Sequence, residues 1–168
     1  MKRIVSLFIV IIFIFSFSLI TTSEFNTKRT LLVYFDNKDA QFSVLEVSYM
    51  MNEIKNYFAS EGIFLYDINI ANDSEAELLL KRNSLVSYIE FSGNIVEIGG
   101  TLSNFSASAN ITMRVYNTQD DKEIIDSLTY EGTTMATVND AKALALAYAA
   151  VNVCKKNIDN IKSIMNYE

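Results

Sequence analysis

From Phe105 to Val115 the chain alternates without a break, with Phe105, Ala107, Ala109, Ile111, Met113 and Val115 on one side and Ser106, Ser108, Asn110, Thr112 and Arg114 on the other. A period of two held over that length fits a strand that is buried on one face and wet on the other, and fits no helix. Such a strand commits the chain to a sheet with a covering layer. The same period already runs from Leu85, where Leu85, Ser87, Ile89 and Phe91 oppose Val86, Tyr88 and Glu90. Ser92-Gly93 predicts a bulge before Ile95-Val96-Glu97-Ile98, and Gly99-Gly100 predicts the turn. Past a polar connection from Asn117 to Lys122, Glu123 to Glu131 returns as another strand before Gly132, which implies antiparallel pairing.

The rest of the chain supplies the cover. Leu31 to Phe35 is a compact apolar run ended by Asp36-Asn37-Lys38-Asp39, the pattern of a buried strand. Ser43 and Glu46 have capping-box spacing, and Val44, Val47, Met51, Ile54 and Phe58 recur at helical intervals, with Gly62 as the stop. Phe64 to Ile70 alternates as a second strand, so strand, helix, strand predicts a parallel crossover. Ser74 with Glu77 opens a short helix that ends at Lys81-Arg82, where basic residues suit the helix dipole. From Val138 a long terminal helix is expected through Cys154, Ile158, Ile161 and Met165. Its alanines at 141, 143, 145, 147, 149 and 150 let a backbone approach closely, so this half should lie flat on the sheet. The expectation is an α+β three-layer sandwich with a mixed, largely antiparallel sheet of about five strands, an N-terminal amphipathic helix, a short helix and a long C-terminal helix.

Met1-Lys2-Arg3 followed by the apolar run Ile4 to Ile20 is the pattern of an export signal, with Thr21 and Ser23 as small residues before a cut at Glu24. An uncleaved anchor is the alternative, since a bilayer needs about 20 apolar residues and the run nearly reaches that. Residues 1–23 are therefore read as signal peptide or anchor, 24–30 as a short polar linker, and 31–168 as one α+β domain. The expected location is periplasmic or envelope-associated. The single cysteine, Cys154, is far from the leader's end, which gives lipid attachment no acceptor there and disulfides no intrachain partner.

Charge and residue types narrow the chemistry. A net charge of −6, with only the pairs Lys28-Arg29, Lys81-Arg82 and Lys155-Lys156 as basic clusters, disfavours nucleic acid. Histidine is absent, which removes the usual base of a hydrolytic triad and the commonest metal ligand. Lys38, Lys55, Lys81, Lys122 and Lys142 all stand in polar stretches that would keep an amine protonated. Asp36 with Asp39, and Asp120 with Asp121, occupy expected turns, where Asp is favoured for local reasons. Cys154 lies at helical spacing from Val151, Ile158 and Ile161 and reads as a small buried hydrophobe. Gly99-Gly100 lacks the flanking pattern of a phosphate loop. No catalytic, cofactor-binding or metal residue is assigned, and no cofactor is expected.

The strand Leu85-Val86-Ser87-Tyr88-Ile89-Glu90-Phe91-Ser92-Gly93, the strand Ser106 to Tyr116, and the helix start Asp140-Ala141-Lys142-Ala143-Leu144 resemble a group of bacterial envelope domains. The group includes the curli-secretion protein CsgG, the N-terminal domain of TolB, the flagellar protein FlgT and LpoB-type activators of penicillin-binding proteins. The resemblance spans about Leu31 to Met165. It implies a three-layer α/β arrangement that binds other envelope proteins or assembles into rings. Two features depart from it: the lipid-modified members carry a cysteine after the leader, and a CsgG-type pore needs long membrane hairpins for which this chain has no room. The expected function is a non-enzymatic, exported protein-binding module serving an envelope complex, with envelope proteins or copies of itself as partners. A periplasmic small-ligand carrier or an enzyme built on carboxylates and tyrosines is one alternative, and a signal-anchored structural subunit another.

Overall fold

The computed structural model describes residues 29–36, 42–67 and 73–166, so the leader, the start of the linker, Asp39 and the Ile68–Ile70 end of the expected second strand lie outside the described residues. Five strands form one sheet in the order β2-β1-β3-β4-β5, where β1 is Thr30–Phe35, β2 Phe64–Asp67, β3 Ser87–Thr101, β4 Asn104–Asn117 and β5 Lys122–Met135. β1 pairs in parallel with β2 and β3, and β3, β4 and β5 follow one another antiparallel. The expected α+β architecture and mixed sheet are therefore present.

Helix α1 (Val44–Ser60) starts on the expected capping box, with Glu46 N–H donating to Ser43 Oγ at 3.3 Å and Ser43 N–H donating to Glu46 Oε2 at 2.7 Å. Its buried face is Met50, Met51, Ile54 and Phe58. Val44, expected on that face, is 88% exposed because the first turn precedes the point where the helix meets the core. The helix α2 (Asp73–Asn83) lies on the opposite side of the sheet, where Leu80 and Leu85 close over Leu32 and Tyr34. Alternation within β1 explains the division: Leu31, Val33 and Phe35 enter the main core, and Leu32 and Tyr34 enter the smaller one.

Helix α3 (Val138–Lys156) lies across β4 and β5 and against α1, with all six predicted alanines fully buried. The long terminal helix is not continuous. It breaks at Asn157, whose side chain donates to Val153 O at 3.0 Å and to Asp126 Oδ2 on β5 at 2.6 Å, and α4 (Ile158–Ile164) continues beyond. A buried amide that bonds its own helix's carbonyl and the edge strand ends a helix where an apolar residue would have extended it.

Two further corrections concern the long hairpin. The bulge falls at Val96, between Ile95 and Glu97, and not at Ser92-Gly93; Gly93 pairs in register with Ile111. What fixes glycine there is close approach, since a Cβ would meet Asn110 O at 2.4 Å and Ile111 Cδ1 at 2.6 Å. Gly99 and Gly100 do not form the turn but remain in β3, and the chain reverses at Leu102-Ser103. β5 also runs past Gly132 to Met135, absorbing the glycine in a register shift opposite Ala107 and Ala109.

Candidate functional site

β3 continues from Ser92 to Thr101 after β1 ends at Phe35, whose register partner is Phe91. At about 3.3 Å per residue, these roughly ten residues carry the sheet about 30 Å further as an arm made of β3, β4 and β5. Among the described residues no strand pairs with the β1 side of β3 along this arm. Val96 and Ile98 are about half exposed, and Leu102 at the tip is 101% exposed. The tip sequence Gly99 to Asn104 carries no charge.

On the face away from α1 and α3, β3–β5 present a flat polar surface. At its base the rings of Tyr88 and Tyr116 lie 5.5 Å apart, and Tyr34 of the smaller core lies 5.8 Å from Tyr88. Arg114 stacks over Tyr116 at 5.8 Å, pairs with Glu90 at 3.7 Å and bonds Glu123. Tyr116 donates its hydroxyl to Asp121 at 2.8 Å, and that bond raises the phenol's pKa. Further along, Thr112 and Ser127 share a hydrogen bond at 3.0 Å. The arrangement is cross-strand pairing, which stabilises a sheet and leaves its face hydrophilic.

At the opposite end of the β3–β4 hairpin from Leu102 lies a recess of about 500 Å³. Leu80, Leu85 and Val86 give it an apolar floor, and Glu77, Lys81 and Gln119 stand at its rim. Ser84, beside it, closes α2 in the left-handed conformation at φ 55°, and Leu85 N–H returns to Leu80 O at 2.9 Å. That is the usual glycine-type helix stop carried out by a serine.

The residues weighed for chemistry are dispersed and engaged. Asp120 accepts from Asn166 at 2.7 Å, which lowers its pKa, and pairs with Lys122 at 3.6 Å. Asp121 holds Tyr116 from a residue at φ 50° in the β4–β5 turn. Asp36 ends β1, its N–H donating to Phe91 O at 2.8 Å. Cys154 is fully buried against Met113, Sγ to Sδ 3.7 Å, and burial pushes its thiol far above the ordinary range. Burial, followed by Glu61, pushes the Tyr57 phenol up to about 12. Among the described residues no three acidic or cysteine side chains gather as a metal site, and no helix is long and apolar enough to cross a membrane.

Sequence reasoning missed two features. Asn117, expected in the turn, is the fully buried last residue of β4 and donates to Ile164 O at 2.7 Å while accepting from Gln119 N–H at 2.8 Å. The arm was also hidden, because alternation reports a strand's faces and not which stretch of it lacks a neighbour.

No family model matches the sequence, and no curated protein matches it. Among solved structures, a dodecameric variant of PelC from Paraburkholderia phytofirmans is similar over 76% of this chain and 86% of its own, at 5% identity and a TM-score of 0.48. Lipoprotein GNA1162 from Neisseria meningitidis is similar over 76% of this chain and 98% of its own, at 11% identity and a TM-score of 0.45. The hypothetical protein CT253 from Chlamydia trachomatis is similar over 81% and 98%, at 10% identity and a TM-score of 0.43. At these values no role passes from those proteins to this one.

Proposed function

We propose that this chain is a non-enzymatic, exported protein-binding module of the bacterial cell envelope, and that the β3–β5 arm is its binding element. The observation that carries the proposal is the arm itself: a stretch of sheet that runs on beyond the end of β1 and presents Val96, Ile98 and Leu102 to solvent. Apolar side chains left exposed together on a folded protein mark a surface that another chain can cover. The leader pattern from Met1 to Ile20 supports export, and the order of elements agrees with what the resemblance to the CsgG, TolB, FlgT and LpoB group implied. The structural engagement of Asp120, Asp121 and Asp126, together with the burial of Cys154, supports the non-enzymatic part.

The test is capture from crosslinked cells that express the protein from its own locus. Wild type should recover the same envelope proteins reproducibly, and Ile98→Asp combined with Leu102→Asp should lose them while remaining folded. Equal recovery by both proteins, or none by wild type, overturns the proposal. Small-ligand carriage has the recess in its favour, but Glu77, Lys81 and Gln119 stand exposed at its rim and the recess opens to solvent, so it does not enclose a ligand.

A further inference from the structure

The two ends of the β3–β4 hairpin carry complementary features. At one end Leu102 projects, fully exposed, from an uncharged tip. At the other, past the start of β3 at Ser87 and the end of β4 at Asn117, the recess of about 500 Å³ offers an apolar floor of Leu80, Leu85 and Val86. The strands between them hold the two ends on the order of 45 Å apart, so a tip cannot reach the recess of its own molecule.

We infer that the recess receives the Leu102 tip of a second copy of this chain, a head-to-tail contact. The inference rests on the proposed role of the arm and names one of its partners. Size agrees, because a cavity of this volume exceeds one leucine side chain and has room for the narrow Leu102-Ser103 turn that carries it. Charge agrees as well. The tip from Gly99 to Asn104 is neutral, so docking buries no ion, and Glu77 and Lys81 remain at the rim in water. A contact between two different patches of the same molecule does not close on itself as a dimer; it propagates into a ring or an open filament.

Its strength follows from its extent. A hairpin tip covers only about a few hundred Å² per partner, well short of the roughly 800 Å² per partner of stable pairs, so the isolated contact is weak. Confinement of many copies in one compartment or ring raises the effective concentration and compensates.

The test uses purified full-length chain. Sedimentation equilibrium of wild type should show average mass rising between about 10 µM and 1 mM, whereas Leu102→Asp and, separately, Val86→Lys should stay monomeric over that range with unchanged far-ultraviolet circular dichroism. A short bis-maleimide then sets the geometry, since the buried Cys154 does not react in the folded state. An equal mixture of Leu102→Cys and Gln119→Cys should crosslink at least about tenfold more than either variant alone. Concentration-independent monomer in wild type overturns the inference, as does Leu102→Cys crosslinking to itself as well as in the mixture. Failure here with envelope capture intact removes the self-contact and leaves the binding role standing, and loss of capture with self-association intact does the reverse.

Discussion

Replacing Asn117 by alanine tests how the C-terminal helix is held. The carboxamide is fully buried, donates Nδ2–H to Ile164 O at 2.7 Å and accepts from Gln119 N–H at 2.8 Å. Gln119 is exposed, so its N–H can turn to water and loses little. Ile164 is only 5% exposed, and its carbonyl at the end of α4 receives the Asn117 amide. Orphaning one buried carbonyl costs about 1–3 kcal/mol, and the cavity left by the missing amide adds to it, so a loss of about 2–3 kcal/mol is expected. A helix of 7 residues cannot stand alone, so α4 should loosen first. In urea denaturation, with a slope of about 2 kcal/mol/M for a domain of this size, the midpoint should fall by about 1 M at unchanged slope. Asn117→Asp sharpens the test. It keeps an acceptor for Gln119 but sets a carboxylate against a carbonyl at neutral pH, so it should be at least as unstable as alanine. It should recover partly at pH 3, where a protonated carboxyl can donate. A midpoint within about 0.2 M of wild type for the alanine variant, or a stable Asp variant at pH 7, would refute the account.

Four further outcomes are expected. Gly93→Ala should lower the melting temperature by about 4–8 °C, read by calorimetry, because its Cβ would sit 2.4 Å from a strand carbonyl that cannot swing away. Asp126 has its pKa lowered by hydrogen bonds from Lys156 and then Asn157, so its contribution is complete above the unfolded carboxylate value and disappears as pH falls through the folded one. The stability gap between wild type and Asp126→Asn in urea should accordingly be widest at pH 5–7 and shrink steadily below about pH 4. Cys154 should resist a thiol reagent in the native protein and react stoichiometrically in denaturant, whereas native reactivity would contradict its burial. Leu102→Asp should leave the urea midpoint within about 0.3 M of wild type, since the side chain contacts nothing that folding protects.

What could be read from the sequence follows from what local pattern encodes. Alternation from Phe105 to Val115 placed every inward residue of β4 correctly, because a one-residue error would have exposed the whole set. The capping box at Ser43 and Glu46, and the alanine face of α3, were equally plain. The misplaced features depend on partners distant in sequence. Asn157 ends α3 because Asp126 stands 31 residues away to receive it, and Asn117 is interior because Ile164, 47 residues on, offers a carbonyl. Gly99-Gly100 looks like a turn in isolation, yet β4 pairs with both glycines and moves the reversal to Leu102. Val44 continues a helical stripe that the core does not reach.

The way the sheet guards its borders bears on which surface is meant for contact. β5 is a terminal strand, and an unguarded edge of 14 residues would pair indiscriminately with other chains. It carries Glu123, Asp126 and Glu131 along its length and a register shift at Gly132, which break both its charge neutrality and its regular hydrogen-bonding row. Beyond β1, the edge of β3 that no described strand pairs is interrupted in the same manner by the bulge at Val96 and the charge of Glu97. Such devices oppose lateral pairing of whole strands. They are absent at the tip, where six uncharged residues present a bare leucine. A chain that disfavours pairing along its edges while leaving an apolar point exposed at the end of an arm limits association to end-on contact, and that restriction is what a recess with room for the Leu102 turn, at the far end of the same hairpin, can satisfy.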